Sequence, residues 1–365
     1  MKKVLYITNI PAPYKIDFLN ELGKKVDLTV LFEAKGASDQ GINFNWNLDS
    51  IKNFKAFFLN DNDIRESIID WKIIKYLKNN SFDEYIITNY AYLTEMIALI
   101  YLKIKRKVYS YILDGAIIRK ENILKKHYKS FLIKGAKRYF SPGKKTDEFL
   151  NSYGVAPEKI TRYPFSSLHN CDILERPITA NIKTDIKNEL GIPQKIMLLG
   201  VGQFIHRKGW DVLINSLEFI NSDVEIYIIG GECTREYSEI INSKNISNVH
   251  FLNFLGTEIL KKYYCAADLF VLPTREDIWG LVINEAMAAA CPIVTTNKCI
   301  AGLELVKDGK NGYIVPPDDF HALADKINYI LTSHELKNSM STNSLSVIRD
   351  YTIENMGNIV GSFFL

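Results

Sequence analysis

Short apolar runs alternate with longer amphipathic stretches along the first half of the chain. The runs that predict strands are Lys3–Thr8, Asp27–Phe32, Glu84–Thr88, Val108–Leu113 and Arg138–Ser141. Between the first two, the Tyr14–Lys25 segment places Ile16, Leu19 and Leu22 on one face of a predicted helix. Regular alternation of strands and helices predicts a parallel sheet with right-handed crossovers.

The alternation breaks at residues 164–195 and then restarts. Prolines and a polar run, residues 181–189, predict a linker there and the opening of a second domain. Beyond it, strands are predicted at residues 195–202, 224–231, 249–254, 268–272 and 292–295. The sequence therefore predicts an α/β protein with two Rossmann-like, doubly wound domains, 1–168 and 169–350, that face each other across a cleft. Residues 351–365 predict a terminal helix, which is expected to pack back on the first domain.

Composition is that of an ordinary folded protein. Of the 365 residues, 47% are apolar and 24% are charged, which argues against disorder. No uninterrupted apolar run reaches eighteen residues; the nearest candidate, Ile86 to Ile104, predicts a strand followed by a largely buried helix. The first apolar run, at the start of the chain, is too short for a signal peptide. The five cysteines are odd in number and scattered, which suits free thiols. A cytoplasmic location is expected, with the inner face of the membrane as a further option.

Charge is distributed unevenly between the two halves. Residues 1–170 carry 28 Lys+Arg and 18 Asp+Glu (+10), whereas residues 171–365 carry 17 and 24 (−7). The excess of positive charge lies in residues 103–107 and 119–138, where lysines alternate with apolar and aromatic residues. One interpretation is peripheral contact with anionic lipid head groups. The other, which amphipathic helices favour, is a solvated face whose aromatic residues pack on the core. No nucleic-acid partner is expected, since no recognised binding motif accompanies the charge.

The first region with candidate chemistry runs from Gly200 to Asp211. A predicted strand ends in small residues, including Gly202, and a short loop then carries the adjacent cations Arg207 and Lys208. Arg207 can grip phosphate oxygens bidentately, and Lys208 can act as a point charge. A diphosphate leaving group needs such neutralisation as its bond to sugar breaks. A surface turn with two solvated cations is the alternative interpretation.

The second region runs from Pro273 to Val294. A loop after a predicted strand carries Glu276 and Asp277, and a predicted helix follows, with Gly280, Leu281 and Val282 at its start and Glu285 within it. Backbone N–H groups at a helix start favour an anion. Carboxylates among apolar neighbours suit a polyol ligand, whose hydroxyls donate hydrogen bonds. A helix cap at Asp277 with an exposed Glu285 is the structural alternative.

Together, the two regions resemble the retaining glycosyltransferases of the GT-B fold, specifically the large family 4 (group 1). Gly202 through Arg207-Lys208-Gly209 matches the family's glycine and paired-cation segment, and Glu285 followed by Ala-Met-Ala matches the end of its signature of two Glu separated by seven residues. The resemblance implies that Arg207 and Lys208 bind the donor diphosphate. It also implies that Glu285 binds the nucleotide ribose and that the first carboxylate of the signature meets the donor sugar.

The chain departs from the family pattern at that first carboxylate. Seven residues before Glu285 stands Asp277, so either Asp277 or its neighbour Glu276 meets the sugar, and both are candidates. In the first half, Asp114 follows a strand where the family often has a histidine facing the donor sugar. Asp114 either orients a sugar or simply ends the strand in an Asp-Gly turn. Glu304 is expected to be structural.

Metal binding is not expected. Asp61-Asn62-Asp63 matches the short Asp-x-Asp of metal-dependent glycosyltransferases of another fold, but helix capping is the preferred interpretation. No cofactor is expected either.

The function expected from this resemblance is metal-independent, retaining transfer, of the hexosyltransferase type, from a nucleoside-diphosphate sugar. A UDP-sugar is the favoured donor, and a glycan or lipid-linked glycan of bacterial surface polysaccharide or glycoconjugate synthesis is the expected acceptor. Two alternatives stay open: a sugar-nucleotide epimerase or hydrolase, and a non-catalytic nucleotide-sugar binding protein.

Overall fold

The computed structural model describes residues 1–36, 38–39, 42–43, 48–63, 68–88, 90 and 92–365. The chain divides into two compact units, each with its own sheet. The first unit contains residues 1–167 and 352–365, and the second contains residues 168–351.

The first unit is built on a parallel sheet in the order β5-β2-β1-β6-β7-β8-β9. Its strands are β1 (Lys3–Thr8), β2 (Asp27–Gly36), β5 (Lys55–Asp63), β6 (Glu84–Ile87), β7 (Tyr109–Ile112), β8 (Arg138–Ser141) and β9 (Ile160–Arg162), and a separate antiparallel pair is formed by β3 (Ser38–Asp39) and β4 (Ile42–Asn43). Its helices before the second unit are α1 (Pro13–Gly23), α2 (Lys72–Asn79), α3 (Leu93–Ile104), α4 (Ile123–Ile133) and α5 (Lys144–Ser152). β1 and β6–β8 are almost wholly buried, as expected for a parallel sheet covered on both faces.

The second unit repeats this plan with the order β12-β11-β10-β13-β14-β15. Its strands are β10 (Ile196–Val201), β11 (Val224–Ile229), β12 (Val249–Leu252), β13 (Leu269–Leu272), β14 (Ile293–Thr296) and β15 (Gly312–Val315). Its helices are α6 (Ala180–Glu189), α7 (Trp210–Ser216), α8 (Arg235–Ser243), α9 (Thr257–Ala266), α10 (Leu281–Ala288), α11 (Ile300–Leu305), α12 (Phe320–Leu331) and α13 (His334–Ile348). In both sheets the strand order reverses beside the first strand, β1 or β10, which is where open α/β sheets bind ligands.

The chain returns to the first unit in a last helix, α14 (Ile353–Ser362), which packs on α1. Gly357 and Gly361 lie four residues apart and therefore share one face of α14. A Cβ on Gly357 would lie 2.5 Å from Cβ of Glu21, and one on Gly361 would lie 2.9 Å from Cγ of Lys25. The two glycines thus permit the close approach of the helices.

The predicted parallel α/β sheets are confirmed. β5, β9 and β15 were not predicted; all three are edge strands, each paired with a single neighbour. The polar residues of β5 and β9 are tolerated at an edge, whereas β15 is a short strand of four residues that begins with Gly312. Residues 181–189, within the stretch predicted to hold the linker and the opening of the second domain, lie in α6 of the second unit, which is polar because most of its residues are exposed.

The helix-capping interpretation of Asp61 and Asp63 is also wrong. Both residues belong to β5, and the next described helix begins only at Lys72. The Asp61 carboxylate lies 2.7 Å from Nζ of Lys35 on β2. Among the residues that the structure describes, no helix is long and apolar enough to span a membrane.

Candidate functional site

The loop after β10 lies at the point where the strand order of the second sheet reverses. Gly202 follows the strand with φ of 149°, and a Cβ there would lie 3.2 Å from Cε of Lys208. A single 3-10 turn, His206–Lys208, leads through Gly209 into α7. Trp210, at the start of α7, is fully buried and donates its indole N–H to the carbonyl oxygen of Gln203 at 3.0 Å. This hydrogen bond therefore anchors the loop to the start of α7.

Arg207 and Lys208 converge on one carboxylate, that of Asp277. Nζ of Lys208 donates to Oδ2 of Asp277 at 2.6 Å, and Nη1 of Arg207 lies 3.7 Å from Oδ1. The side chains of Lys208 and Asp277 are only 10% and 13% exposed, whereas that of Arg207 is 40% exposed. The cluster keeps a formal charge of +1, and Arg207 is its accessible cation.

The loops after β10 and β13 are joined through main-chain groups. Arg207 donates from Nη1 to the carbonyl oxygen of Glu276 at 2.6 Å, while its own carbonyl oxygen accepts from the backbone N–H of Arg275 at 2.8 Å. The buried Thr274 hydroxyl lies 2.9 Å from the carbonyl oxygen of Arg207. The position of the Arg207 side chain is thus set by the loop that carries both candidate carboxylates.

Arg275 is a residue that the sequence did not single out. Its guanidinium makes a bidentate pair with Asp211 on α7 at 2.9 and 2.6 Å, and its Nε donates to Asp318 at 2.6 Å. Hydrogen bonding to Asp211 raises the pKa of the Arg275 guanidinium above the ordinary arginine value. Arg275 therefore holds the loops after β10 and β13 against α7. Its position next to Glu276 in the sequence did not indicate this role.

Helix α10 begins beside the charged cluster. Its N-cap is Gly280, with φ of 96°, and no side chain caps the helix. The N–H groups of Leu281 and Val282 in its first turn have no partner within the helix, as at every helix start. A Cβ on Gly280 would lie 3.5 Å from Cγ of Asp277. Asp277 therefore sits next to the helix start but is bound to Lys208, so the interpretation of Asp277 as a helix cap is wrong.

Glu285 lies one turn along α10 from Leu281, on the same face. Its Oε2 accepts a hydrogen bond of 2.8 Å from the hydroxyl of Tyr264 on α9. Tyr264 is buried, and burial, followed by the charge of Glu285, raises its pKa well above the ordinary value. The tyrosine therefore stays protonated and acts as a donor that orients Glu285; no pattern in the sequence linked the two.

Asp114 lies in the first unit, after β7. Its Oδ2 accepts a hydrogen bond of 2.8 Å from the hydroxyl of Tyr14 on α1. Burial, with the nearby Asp114 charge, raises the pKa of Tyr14 well above the ordinary value. At the carboxyl end of β1, the buried Lys15 donates to Oγ1 of Thr8 at 3.1 Å and to Oδ1 of Asn9 at 3.0 Å. Tyr14 and Lys15 are polar groups of this sheet edge that the sequence did not identify.

Residues 182–346 match the family model described as Glycosyl transferases group 1. The second unit is thus similar to the group 1 glycosyl transferases over residues 182–346. An uncharacterized 41.2 kDa protein in the cps region of Klebsiella pneumoniae is 30% identical over 185 residues, which are 50% of this chain and 48% of that protein. The capsular polysaccharide biosynthesis glycosyltransferase CapM of Staphylococcus aureus is 30% identical over 39% of this chain and 38% of its own. The chain thus spans half or less of the length of these relatives.

A solved structure extends the likeness to the whole chain. HepE from Anabaena, in complex with UDP and glucose, matches with a TM-score of 0.76 at 16% identity, over 100% of this chain and 99% of that chain. The structural similarity establishes the fold alone at this low identity, and the predicted GT-B fold is confirmed.

Two further predicted residues of the second unit, Glu276 and Glu304, accept hydrogen bonds through their main-chain carbonyl oxygens. Glu276 is partly buried, and its carbonyl oxygen holds Arg207. Glu304 lies in α11, where its carbonyl oxygen accepts from Nζ of Lys307 at 3.0 Å. Within the described part of the chain, no group of three or more His, Cys, Asp or Glu is placed to hold a metal ion.

In the first unit, the basic stretch of residues 119–138 forms α4 and its flanks. Leu132 and Ile133 are buried, but Tyr128 and Phe131 are 49% and 57% exposed. The expectation that the aromatic residues of this stretch pack on the core is therefore wrong for both. Leu124, Tyr128 and Phe131 form an exposed stripe at helical spacing, with lysines beside it.

Proposed function

We propose that this protein is a retaining glycosyltransferase that moves a sugar from a nucleoside-diphosphate sugar, with UDP as the favoured nucleotide, to a glycan or lipid-linked glycan. The observation that carries the proposal is the cluster of Arg207, Lys208 and Asp277 beside the start of α10, at the strand-order reversal of the second unit. The match of residues 182–346 to the group 1 family model and the likeness to the complex of HepE with UDP and glucose support it.

The donor diphosphate is assigned to Arg207 and to the N–H groups of Leu281 and Val282. Arg207 is accessible and presents a planar fork that matches phosphate oxygens. Gly202 carries no side chain beside Lys208, so a ligand can approach the backbone closely there. As the bond between sugar and phosphate breaks, negative charge grows on the diphosphate, and fixed cations and helix N–H groups stabilise it. These groups neutralise charge without a metal ion, and we propose that transfer is metal-independent.

The sugar and the ribose are assigned to carboxylates. Glu285, held by Tyr264, accepts hydrogen bonds from the ribose hydroxyls. Asp277 accepts a hydrogen bond from the donor sugar when the diphosphate replaces it as the partner of Lys208 and Arg207. Glu276, the preceding residue of the same loop, is the alternative. Carboxylates on a polyol are charge-assisted acceptors and therefore strong ones.

Transfer with retention is proposed to occur by attack on the face from which the diphosphate leaves. The acceptor hydroxyl oxygen forms its bond to the anomeric carbon while the bond from that carbon to the diphosphate oxygen breaks. The hydroxyl proton passes to the departing phosphate oxygen. This route needs no carboxylate pair at the anomeric carbon.

The acceptor is assigned to the first unit. Asp114, with Tyr14 as its donor, and the polar end of β1 at Thr8 and Asn9 present hydrogen-bonding groups at the carboxyl ends of parallel strands. Asp114 is proposed to orient a sugar hydroxyl of the acceptor or donor.

Peripheral contact with an anionic membrane is proposed for α4. Its exposed Leu124, Tyr128 and Phe131, flanked by Lys125 and Lys126, combine apolar insertion with attraction to anionic head groups.

Co-sedimentation with vesicles of phosphatidylglycerol and phosphatidylcholine at low salt tests the proposed membrane contact of α4. The variant Leu124→Asp/Phe131→Asp should lose binding, whereas Phe57→Asp, at another exposed aromatic residue of the first unit, should keep it. Failure of the unaltered protein to co-sediment contradicts the proposal.

A thermal-shift panel of sugar nucleotides tests the donor site. One donor should raise the unfolding temperature, and Arg207→Ala and Glu285→Ala should abolish that rise. The matched controls are Arg235→Ala and Glu239→Ala, since these two exposed residues of the same unit pair with each other away from the loop. A rise that survives in Arg207→Ala and Glu285→Ala places the donor elsewhere.

Product analysis with the donor so identified separates the alternatives. Release of nucleoside diphosphate that depends on an acceptor, with the anomeric configuration kept and with chelator present, supports the proposal. Turnover without acceptor indicates an epimerase or hydrolase, and saturable binding with no turnover indicates a binding protein.

A further inference from the structure

A polar cavity of about 500 Å³ lies in the second unit, between α6 and α13. Its lining includes Lys183, Lys187, Lys337 and Asp268. Asp268 directly precedes β13, so this cavity, which we name the Asp268 cavity, lies at the amino ends of the strands. The candidate donor site lies at their carboxyl ends, about 13 Å away along a four-residue strand.

Three lysines surround the one carboxylate. Nζ of Lys187 lies 3.0 Å from Oδ2 of Asp268, and those of Lys183 and Lys337 lie 3.2 and 3.1 Å from Oδ1. Asp268 is 9% exposed and Lys187 6%, so these two charges are largely removed from water, whereas Lys183 and Lys337 are 23% and 20% exposed. Although burial raises the pKa of the Asp268 carboxyl, the lysines lower it below the ordinary value, which keeps the carboxylate ionised.

The formal charge of this group is +2, from three ammonium groups and one carboxylate. A largely buried excess charge is unfavourable unless an opposite charge accompanies it. Among the described residues that line the Asp268 cavity, Asp268 is the only Asp or Glu. A dianion would bring the group to neutrality.

Further donors face the same space. The start of α6 lines the cavity through Thr179 and Ala180, and Thr179 makes no side-chain cap bond to its own helix. Backbone N–H groups of a helix start favour anions, as do hydroxyl donors. His334, at the start of α13, also lines the space. The positive charge and the donors of two helix starts therefore converge on one cavity.

We propose that the Asp268 cavity binds a phosphate dianion, either free phosphate or the phosphate group of a small phosphomonoester. The lysines act as point charges on its oxygens, and the hydroxyl of Thr179 and the N–H groups of α6 complete the contacts. The volume exceeds that of phosphate alone, so an organic substituent can be accommodated. This site is separate from the proposed donor site and does not depend on it.

The test measures the rise in unfolding temperature with inorganic phosphate or glucose 6-phosphate at constant ionic strength set by chloride. Both the unaltered protein and Arg207→Ala should show a saturable rise. Lys337→Met should raise the apparent Kd about tenfold or more, as expected for loss of a charge-assisted bond. Asp268 keeps two lysines in this variant, and Lys337→Arg should restore binding. Lys262→Ala, which removes an exposed charge of the same unit paired with Glu189, is the matched control.

Backbone amide shifts of residues 180–183 on addition of phosphate give a readout that a purely structural ion pair would not change. Tighter binding of glucose 6-phosphate than of phosphate identifies a phosphorylated metabolite as the ligand class, and equal binding identifies the free ion. The proposal is overturned if neither compound produces a saturable effect. It is equally overturned if the effect is lost in Arg207→Ala and kept in Lys337→Met, because phosphate then occupies the donor site.

Discussion

Individual side chains have roles that depend on partners far away in the sequence. Asp277 is one of two candidates, with Glu276, to meet the donor sugar, and in the structure its carboxylate is bound to Lys208, 69 residues earlier. Glu285 was predicted to bind ribose, and Tyr264, on another helix, holds one of its oxygens. The resemblance to the family's two-carboxylate signature identified the acidic residues, but their spacing contains no information on what the other elements bring to them.

Tyr264→Phe should weaken donor binding about tenfold. The change removes the donor that orients Glu285, and a hydrogen bond to a charged group contributes about 1.5–3 kcal/mol. Isothermal titration with the nucleoside diphosphate of the true donor measures it. Tyr263→Phe, at the neighbouring position on α9, is the control and should leave the Kd unchanged. Equal affinities for Tyr264→Phe and the unaltered protein would refute the orienting role.

At the scale of elements, the loops after β10 and β13 depend on a glycine for their close approach. Gly209 has φ of 72°, and a Cβ there would lie 2.2 Å from the carbonyl oxygen of Pro273. The hydrogen bonds between these loops position Arg207, so the geometry of the candidate site rests on that approach. A Lys-Gly pair in the sequence shows where the glycine is but not that another loop passes beside it.

Gly209→Ala should therefore destabilise the second unit by about 2 kcal/mol or more, because backbone strain and a clash with Pro273 add together. Gly191→Ala is a matched control: its φ of 67° is similar, but no atom lies within 4 Å of the added Cβ. Thermal unfolding should give a markedly larger decrease in midpoint for Gly209→Ala than for Gly191→Ala. Equal decreases would show that the contact with Pro273 relaxes at no cost.

The whole molecule buries some of its cysteines and exposes others. Cys171 is exposed, whereas Cys291 and Cys299 are buried, and burial raises the pKa of each of these two thiols to about 12. In the unfolded chain these thiols ionise near pH 9, their ordinary value. Their contribution to stability is thus fully present below pH 9 and is lost as the pH rises toward 12.

We expect the free energy of unfolding to fall between pH 9 and pH 11, by up to about 1.4 kcal/mol per pH unit for each buried thiol. Chemical denaturation at pH 8 and pH 10.5 measures the fall, and Cys299→Ala should reduce its slope. A disulfide reagent at pH 8 should label Cys171 in the native protein, and Cys291 and Cys299 only after unfolding. Rapid native labelling of the buried pair would contradict their assignment as enclosed thiols.

The sequence by itself determined the two parallel α/β domains and the two regions that carry the candidate chemistry. Buried strands and amphipathic helices leave a periodic apolar pattern, and the residues that follow a strand are read directly from the chain. It failed at three edge strands: β5 and β9, where polar residues interrupt the apolar pattern, and β15, which is only four residues long. It also predicted no helix at the largely exposed α6. Only the tertiary structure decided that Asp277 neutralises Lys208, that Tyr264 holds Glu285 and that three lysines enclose Asp268. These contacts join residues from separate elements, because ion pairs and hydrogen bonds depend on distance in space and not on separation along the chain.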